Sequence, residues 1–376
     1  MPEGGLLDPR DPAPAVRERV HAWLALQARG GFAPVAARAA LAAARGEPVA
    51  ALRRLTGETP AAVLGRAALD TACARLARSG ARLLPFGAPA YPARLAALAD
   101  PPPLLAVRGE PASLGGPLVA IVGARRATPY GVGAARRLAR QLAGLGFGVV
   151  SGLAWGIDAA AHRGALEAGG RTIGVLGCGA DRVYPREHAA LAAEMSAAGA
   201  IVSELPPGAA PLKHHFPLRN RLISGLALAL VVVEARARSG SGISAGHAAE
   251  QGREVLAVPG PIDAPTSEGP NLLLRDGAAP ALDASDVLRA LGRTEEAEAW
   301  LRRRRGAREG EDGGEAALAP EARALLAALR GAPATRDELA SRLGLAPAAL
   351  AARLLALELD GRVAEDRAGR LRVVPR

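Results

Sequence analysis

Three cations and one aromatic ring fall within nine residues of this chain, at Lys213, Phe216, Arg219 and Arg221. Such a set suits a single strand of nucleic acid, because cations neutralise phosphates and a ring stacks on a base. Lys213 is the only lysine in a chain in which lysine and arginine together number 47. Either the site requires a compact ammonium rather than a planar guanidinium, or the lone lysine is an accident of composition.

The overall composition favours a polyanionic partner and limits how the chain can hold it. The 47 basic residues exceed the 37 acidic ones, which leaves a formal net charge of +10, and positive charge of this size attracts polyanions. Aromatic residues make up only 3% of the chain, fewer than a base-stacking sheet requires. A nucleic-acid site here therefore depends on phosphate contacts and few rings.

Several classes of protein are disfavoured by what the sequence lacks. No apolar run reaches the roughly 18 residues of a membrane span, and Met1 to Pro12 shows no apolar core of a secretory signal. Cys73 and Cys178 form neither a metal-binding pattern nor a disulfide framework. We expect a cytoplasmic protein with no membrane contact and no bound metal.

Four segments are distinguished by their residue patterns. Residues 1–80 read as short helices broken at glycines, typical of a small domain of the SAM or helix-hairpin-helix kind. Residues 81–291 form the main domain, and its first part, residues 81–117, reads as an extended lead rich in Pro and Leu. Residues 292–318 form a charged linker. The last segment, residues 319–376, reads as a winged helix.

The winged-helix prediction depends on local signals for helix ends and turns. Thr335 and Glu338 form a capping box that opens a helix, and Gly344 turns the chain into the next helix. That second helix, Pro347 to Asp360, carries one cation, Arg353, although a groove-reading helix needs several polar or basic side chains. We expect this domain to contact protein, or to contact DNA only through wing residues Arg367, Arg370 and Arg372.

Apolar runs alternate with helical patterns through the main domain, which predicts βαβ units and an extended Rossmann-like parallel sheet covered on both faces. In such α/β folds ligands bind at the carboxyl ends of the strands, near the topological switch point. The predicted strands are Leu118–Val122, Phe147–Val150, Thr172–Leu176, Ala200–Ser203, Ala227–Val233 and Val255–Val258.

Glycine-rich loops follow several of these strands. They include Gly123 to Arg126, Ser151 to Asp158, Gly177 to Asp181 and Arg236 to Gly242. Backbone N–H groups at such turns, together with the helix dipole, favour an anion. Any single loop could be glycine-rich merely because a strand-to-helix turn requires it. The set as a whole, with Arg125 among the loops, favours one cationic cleft.

Common enzyme motifs are incomplete in this chain. It contains no P-loop motif, and the first strand is followed by Gly123-Ala124-Arg125 rather than G-x-G-x-x-G. Ser151 stands where a nicotinamide-binding fold would place an acid for the ribose. Residues 242–246 match G-x-S-x-G but are not followed by an acid and then a histidine. We therefore predict no catalytic residues and no cofactor.

The loop motifs, taken in order, resemble those of the DNA-processing protein A (DprA/Smf) family over about Tyr91 to Val287. The resemblance implies a protein that is not an enzyme, binds and protects incoming single-stranded DNA in natural transformation, helps load the RecA recombinase and dimerises through the Rossmann domain. It implies a pocket at Arg125, Lys213 and Phe216. Ala124 departs from the usual serine of the family. The motifs are Gly123-Ala124-Arg125, Tyr130-Gly131, Ser151-Gly152-x-Ala154-x-Gly156-Ile157-Asp158, Gly177-x-Gly179-x-Asp181-x-x-Tyr184-Pro185, Phe216-Pro217-x-Arg219-Asn220-Arg221, Ser239-Gly240-Ser241 and Gln251-Gly252-Arg253.

Roles in DNA binding follow for the candidate residues. Arg125 and Lys213 neutralise phosphates, Phe216 stacks on a base, and Arg219 and Arg221 line the groove or hold its loop. Asn220 either contacts the strand or caps a helix that starts at Arg221. The full predicted set is Gly123, Arg125, Ser151, Gly152, Gly156, Lys213, Phe216, Arg219, Asn220, Arg221, Ser239, Gly240, Ser241 and Gly242.

Two other classes of function remain open at this stage. Nucleotide hydrolases of the lysine-decarboxylase-like (LOG) family share this kind of sheet, but their Pro-Gly-Gly-x-Gly-Thr loop is replaced here by residues 239–244, Ser-Gly-Ser-Gly-Ile-Ser. A protein-interaction scaffold is the third possibility. Oligonucleotide titration beside a nucleotide-hydrolysis assay distinguishes the three.

Overall fold

The computed structural model of the chain describes residues 5–30, 34–237, 239–304, 318–366 and 369–374. These residues fall into two units, one up to Ala297 and one from Glu298. Most of the predicted charged linker, residues 305–317, lies outside the described residues, as do wing residues Arg367 and Ala368.

Five helices form the amino-terminal part of the first unit. Four of them begin at proline, whose fixed φ suits a first helical turn and whose missing N–H would have no helical partner there. Their core contains Trp23, Leu52 and Leu69 and is continuous with Leu83 and Leu104 of the adjoining sheet. The helices are α1 (Pro14–Gly30), α2 (Pro34–Ala43), α3 (Pro48–Thr56), α4 (Pro60–Leu64) and α5 (Arg66–Ser79).

A nine-stranded sheet forms the body of this unit, in the order β1-β2-β6-β5-β4-β3-β7-β8-β9. Its pairs are parallel from β6 across to β9, as the alternation of apolar runs and helices predicts. The strands are β1 (Arg82–Pro85), β2 (Leu104–Gly109), β3 (Leu118–Val122), β4 (Gly148–Ser151), β5 (Thr172–Val175), β6 (Ala200–Ser203), β7 (Ala229–Val232), β8 (Glu254–Ala257) and β9 (Ala279–Pro280).

The prediction of an extended lead over residues 81–117 was wrong in part. β1 and β2 pair antiparallel with each other, and β2 pairs antiparallel with β6, so this segment supplies one edge of the sheet. The prolines that suggested an open chain lie outside these strands. Pro92 precedes the short helix Ala93–Ala96, and Pro103 precedes β2.

Helices cover both faces of the sheet, and strand residues are buried on each side. All five residues of β3 are buried, and Leu118, Ala120 and Val122 share one core with Leu222 and Ile223. Burial on both faces explains why the parallel strands read as continuous apolar runs. The helices are α6 (Ala93–Ala96), α7 (Pro129–Gly144), α8 (Ile157–Glu167), α9 (Ala189–Ala198), α10 (His215–Leu226), α11 (Gly240–Glu250), α12 (Glu268–Arg275) and α13 (Ala284–Ala290). A further helix, α14 (residues 294–304), follows α13 along the chain.

The strand order creates a crevice beside β3. From β3 the chain builds outward through β4, β5 and β6, and β7 then returns to the other side of β3. Connections on the two sides of this switch point run in opposite directions, so the loops after β3 and β7 diverge and leave room for a ligand.

The second unit has the order of elements of a winged helix. The predicted capping box is formed by two hydrogen bonds, from the Glu338 N–H to the Thr335 hydroxyl and from the Thr335 N–H to the Glu338 carboxylate. Gly344 ends the helix in the left-handed conformation. Leu325, Leu339 and Leu354 form its core with strand residue Leu371. Its elements are α15 (Pro320–Gly331), α16 (Arg336–Leu343), α17 (Pro347–Leu359), β10 (Val363–Glu365) and β11 (Leu371–Val373).

Among the described residues no single helix is both long and apolar enough to cross a membrane. Taken together, α16 and α17 are long and apolar enough, but a bend of 113° separates them.

Candidate nucleic-acid interface

The loop after β3 carries Arg125 and is held by one buried carboxylate. The Thr128 N–H donates to Glu234 Oε2 at 2.9 Å, the Thr128 hydroxyl donates to Glu234 Oε1, and the Ala124 N–H donates to the Glu234 carbonyl at 2.6 Å. Glu234 is 2% exposed, and an added Cβ at Gly131 would overlap its carboxylate. Glu234 was not among the predicted residues, although an acid ending an apolar strand was a visible signal.

The loop after β4 is fixed from within rather than open to the cleft. The Ser151 hydroxyl is buried and donates to the Ile121 carbonyl at 2.6 Å, so it ties β4 to β3 instead of facing a ligand. An added Cβ at Gly152 would overlap the Arg219 guanidinium, and one at Gly156, where φ is 74°, would overlap the Ala124 carbonyl. Ser151 and Gly152 are buried, so the prediction that they contact DNA is corrected. Gly156 is partly exposed, and its predicted contact with DNA stays a prediction.

Arg219 is the centre of this packing. Its guanidinium donates to the Gly152 carbonyl at 2.7 Å and to the Val175 carbonyl, and lies 4.0 Å from Asp158 Oδ2. Burial lowers the pKa of Arg219 to about 10 despite the nearby carboxylate. Burial also raises the pKa of Asp158, and Arg219 and two loop N–H groups oppose that rise. Of the two predicted roles, lining the groove or holding its loop, these contacts support the second.

Leu153 adopts a left-handed backbone with φ 57°, which is uncommon for a residue other than glycine. Two buried histidines hold it there. The Leu153 N–H donates to His162 Nε2 at 3.3 Å, and His188 Nδ1 donates to the Leu153 carbonyl at 3.0 Å. Because the Thr172 hydroxyl donates to the Val149 carbonyl, His162 Nδ1 must donate to Thr172 Oγ1, and the ring is neutral.

His162 therefore makes the protein sensitive to acid. Burial lowers the pKa of His162 to about 3 from its ordinary 6.5. The unfolded chain binds a proton below pH 6.5 and the folded chain does not, so stability falls with pH from 6.5 toward 3. Between pH 7 and pH 5 the loss from this residue is about 2 kcal/mol. His162→Gln keeps an acceptor but does not titrate, so its free energy of unfolding should fall less between pH 7 and pH 5 than that of the parent. Urea unfolding at the two pH values measures both losses. Equal losses in the two proteins would contradict this role of His162.

Arg221 lies away from the cleft, and its predicted place in the groove is corrected. Its guanidinium pairs with Asp100 at 3.1 Å and with Glu204, beside a separate cavity of about 290 Å³. The predicted helix start at Arg221 is also wrong, because α10 begins at His215 and Asn220 lies inside it. Asn220 is not a cap. Its side chain accepts from Arg219 Nε at 3.0 Å and donates to the Gly240 carbonyl at 3.2 Å, which links α10 to the start of α11.

The switch point opens into a cleft of about 640 Å³. Arg125 and Lys213 are exposed at its wall, and the Arg125 guanidinium lies 4.7 Å from the centre of the half-buried Phe216 ring. Gly177 makes room for that ring, since an added Cβ would come within 2.9 Å of it. The predicted residues that line the cleft are Gly123, Arg125, Lys213, Phe216, Arg219, Asn220, Ser239, Gly240 and Ser241.

The start of α11 forms the opposite wall of the cleft. Ser239 precedes the helix, and its hydroxyl is buried without a hydrogen-bond partner among the described residues. A helix of this length also directs N–H groups and a partial positive charge at its start, which suits an anion. Gly242 was predicted in the site but does not line the cleft. It is the third residue of α11, and its N–H donates to the Ser239 carbonyl at 3.1 Å. Across the described ranges no group of three His, Cys, Asp or Glu side chains could hold a metal ion.

Comparison with known proteins identifies the family of the chain. The family model described as DNA recombination-mediator protein A matches residues 82–292, more than half of the chain. The chain belongs to the DNA recombination-mediator protein A family. The model of the DprA winged helix domain matches residues 309–369, and the family resemblance of the loop motifs is thereby confirmed.

Relatives of this family share the main domain. Escherichia coli Protein Smf is 43% identical over 227 residues, which are 60% of this chain and 61% of that protein. The DNA processing protein DprA of Bacillus subtilis is 41% identical over 213 residues, 56% of this chain and 72% of the relative. The X-ray structure of Streptococcus pneumoniae DprA superimposes with a TM-score of 0.56 at 32% identity, covering 72% of this chain and 93% of that one. The match thus spans about three fifths of the length of the E. coli relative.

Proposed function

We propose that this member of the DNA recombination-mediator protein A family binds and protects single-stranded DNA in natural transformation, and helps load the RecA recombinase onto it. The observation that carries the proposal is the Arg125 guanidinium 4.7 Å from the Phe216 ring, beside the exposed Lys213, in the cleft at the switch point. One nucleotide presents a phosphate and a base at neighbouring positions. A cation next to a ring is complementary to both.

Each wall of the cleft contributes a different contact. Arg125 leaves the ring and makes a charge-assisted hydrogen bond to a phosphate, and the freed face of Phe216 stacks on the base. Lys213 neutralises the next phosphate. The Ser239 hydroxyl, which has no hydrogen-bond partner within the described ranges, and the N–H groups at the start of α11 hydrogen-bond the strand.

The position of Phe216 explains a preference for single strands. The ring is half-buried within the cleft, so a base must leave its own stack and pair to reach it. Extruding a base from a duplex costs a few kcal/mol, and a single strand avoids most of that cost.

The contacts of Asp158, the acidic residue that lines the cleft, support a role in binding rather than catalysis. Asp158 Oδ2 accepts hydrogen bonds from the Gly152 and Ala154 N–H groups and pairs with Arg219. A carboxylate held in this way organises its loop and is poorly placed to exchange a proton with a substrate. We propose a cytoplasmic homodimer that associates through the Rossmann domain and is not an enzyme.

Titration with labelled single-stranded and double-stranded oligonucleotides of one sequence tests the proposal. We expect tighter binding of the single strand and a loss of affinity as salt rises, because bound cations displace counterions. A nucleotide-hydrolysis assay run on the same preparation addresses the alternative of a nucleotide hydrolase. Equal affinity for both oligonucleotides, insensitivity to salt, or robust hydrolysis of a nucleoside monophosphate would overturn the proposal.

The winged helix is expected to contribute little to strand affinity. Arg353 on α17 donates to the Ala349 carbonyl of its own helix at 3.1 Å, and Leu355 and Leu359 are exposed, the latter to 80%. Such a face suits a protein contact better than a DNA groove. A chain shortened to end at Gly292 should bind single strands within about tenfold of the full chain, or about 1.4 kcal/mol. Loss of nearly all binding by a shortened chain that remains folded, as judged by circular dichroism, would show that the winged helix holds DNA.

A further inference from the structure

A second cavity adjoins the cleft and continues a row of aromatic rings. It measures about 650 Å³ and shares Tyr184 and Pro211 with the cleft. The ring centres of Phe216 and Tyr184 lie 5.8 Å apart, and those of Tyr184 and Trp155 lie 6.1 Å apart. In a chain with only three Trp, three Tyr and four Phe, this concentration of rings along one surface is unusual.

Trp155 is exposed in a way that packing does not require. It is 40% exposed, and its ring makes T-shaped contacts with those of Tyr184 and His188. The strained Leu153 two residues earlier, held by His162 and His188, sets the direction of this loop. Ala154 consequently lines the cleft and Trp155 lines the second cavity. Backbone strain of this kind is maintained only when surrounding contacts impose it, and it is concentrated at functional sites.

Cations accompany the rings in the second cavity. Arg182 and Arg186 are exposed on its lining, together with the acid Glu187. Neither arginine forms an ion pair with another residue in the described parts of the chain. Rings flanked by unpaired cations are the combination that holds single-stranded nucleic acid without reading its sequence.

We infer that the strand leaves the cleft past Tyr184 and stacks a further base on Trp155, with Arg182 and Arg186 neutralising its phosphates. The inference rests on the proposed function and extends it to a second subsite. The ring spacings near 6 Å exceed the rise of about 3.4 Å per nucleotide in a stacked strand. The strand is therefore unstacked and extended along the row, each base lying on a protein ring.

If the second subsite exists, the effect of removing Trp155 on DNA affinity depends on the length of the strand. The cleft alone predicts no such dependence. Trp155→Ala should bind the shortest strands that occupy the cleft as well as the parent does. With longer oligothymidylates it should bind about tenfold more weakly, in the lower half of the range for one base stacked on an aromatic side chain. Trp155→Phe, which retains a ring, should bind long strands more tightly than Trp155→Ala. Affinities are measured by fluorescence anisotropy over a nested length series at one salt concentration.

Tryptophan fluorescence supplies a second readout that does not depend on the alanine variant. Long oligothymidylates should quench the parent and the matched control Trp300→Phe, and should quench Trp155→Phe much less. The proposal of a second subsite is wrong if Trp155→Ala binds oligothymidylates of every length as tightly as the parent does, or if quenching persists in Trp155→Phe. The cleft proposal would still stand. Failure of the cleft proposal is recognised separately, by a parent that does not prefer single strands or whose binding is unaffected by loss of Arg125.

Discussion

Alanine at both Arg125 and Lys213 is expected to weaken single-strand binding by at least roughly a hundredfold. A hydrogen bond to a charged group contributes about 1.5–3 kcal/mol, so two of them correspond to two decades or more of affinity if they act independently. Both side chains are exposed at the cleft wall, so removing them leaves the buried core intact. The slope of log affinity against log salt should also become shallower by about 1.4, or about 0.7 for each lost phosphate contact on a single strand.

The neighbouring Arg126 is the matched control for this prediction. It is an exposed arginine next to Arg125 and does not line the cleft. Arg126→Ala removes the same charge and should change affinity far less than Arg125→Ala. Similar effects at Arg125 and Arg126 would show that general positive charge, rather than this cleft, holds the strand.

Lys213→Arg distinguishes the two explanations of the lone lysine. If the site requires a compact ammonium, the variant binds roughly tenfold more weakly, about 1.4 kcal/mol, because a planar guanidinium holds its donors in a fixed fork. If the variant matches the parent while Lys213→Ala is weak, charge alone accounts for the residue.

Alanine at Arg219 should lower the free energy of unfolding by about 3–5 kcal/mol, the cost of breaking a buried ion pair by removing one partner. The two side chains of the pair are 5% and 7% exposed, so Asp158 would be left buried without its cation. The carbonyls of Gly152 and Val175 would lose their donor as well. Urea unfolding at neutral pH measures the change.

Arg136 offers a surface ion pair for comparison. Arg136 pairs with Glu167 at 2.5 Å, but its side chain is 57% exposed, and such pairs contribute about 0–1 kcal/mol. Arg136→Ala should therefore cost much less stability than Arg219→Ala. Adding Asp158→Asn to Arg219→Ala should recover part of the loss by removing the unpaired charge. An Arg219→Ala protein as stable as the parent but deficient in DNA binding would instead identify Arg219 as a strand contact.

Local patterns predicted many elements of the fold. The apolar runs predicted β3 to β8 to within one or two residues, because burial on both faces of a parallel sheet leaves few positions for polar residues. The two-residue strand β9 was not predicted. The Thr335 capping box and Gly344 predicted the ends of α16, since these signals act within a few residues. The order of the loop motifs also carried the family resemblance, which the comparisons confirm.

The roles of individual side chains in the cleft were decided by the tertiary structure. Arg219 and Arg221 look alike in sequence, yet residues two apart on a helix lie on nearly opposite sides of it. Arg219 consequently enters the core behind the cleft, and Arg221 pairs with Asp100 and Glu204 elsewhere. The start of α10 at His215, rather than Arg221, also moved Asn220 from a cap to the helix interior.

Long-range contacts explain the remaining differences. Glu234 holds the Arg125 loop through Thr128, 106 residues earlier in the chain, and only the placement of β7 beside β3 brings the two together. Periodicity and loop composition report on neighbours along the chain and contain no information about strand order. The sequence by itself determined the central strands of the sheet and the cationic loops that follow them. The crossover at β3 decided which of those loops share one cleft, because the switch point sets which strand ends are adjacent.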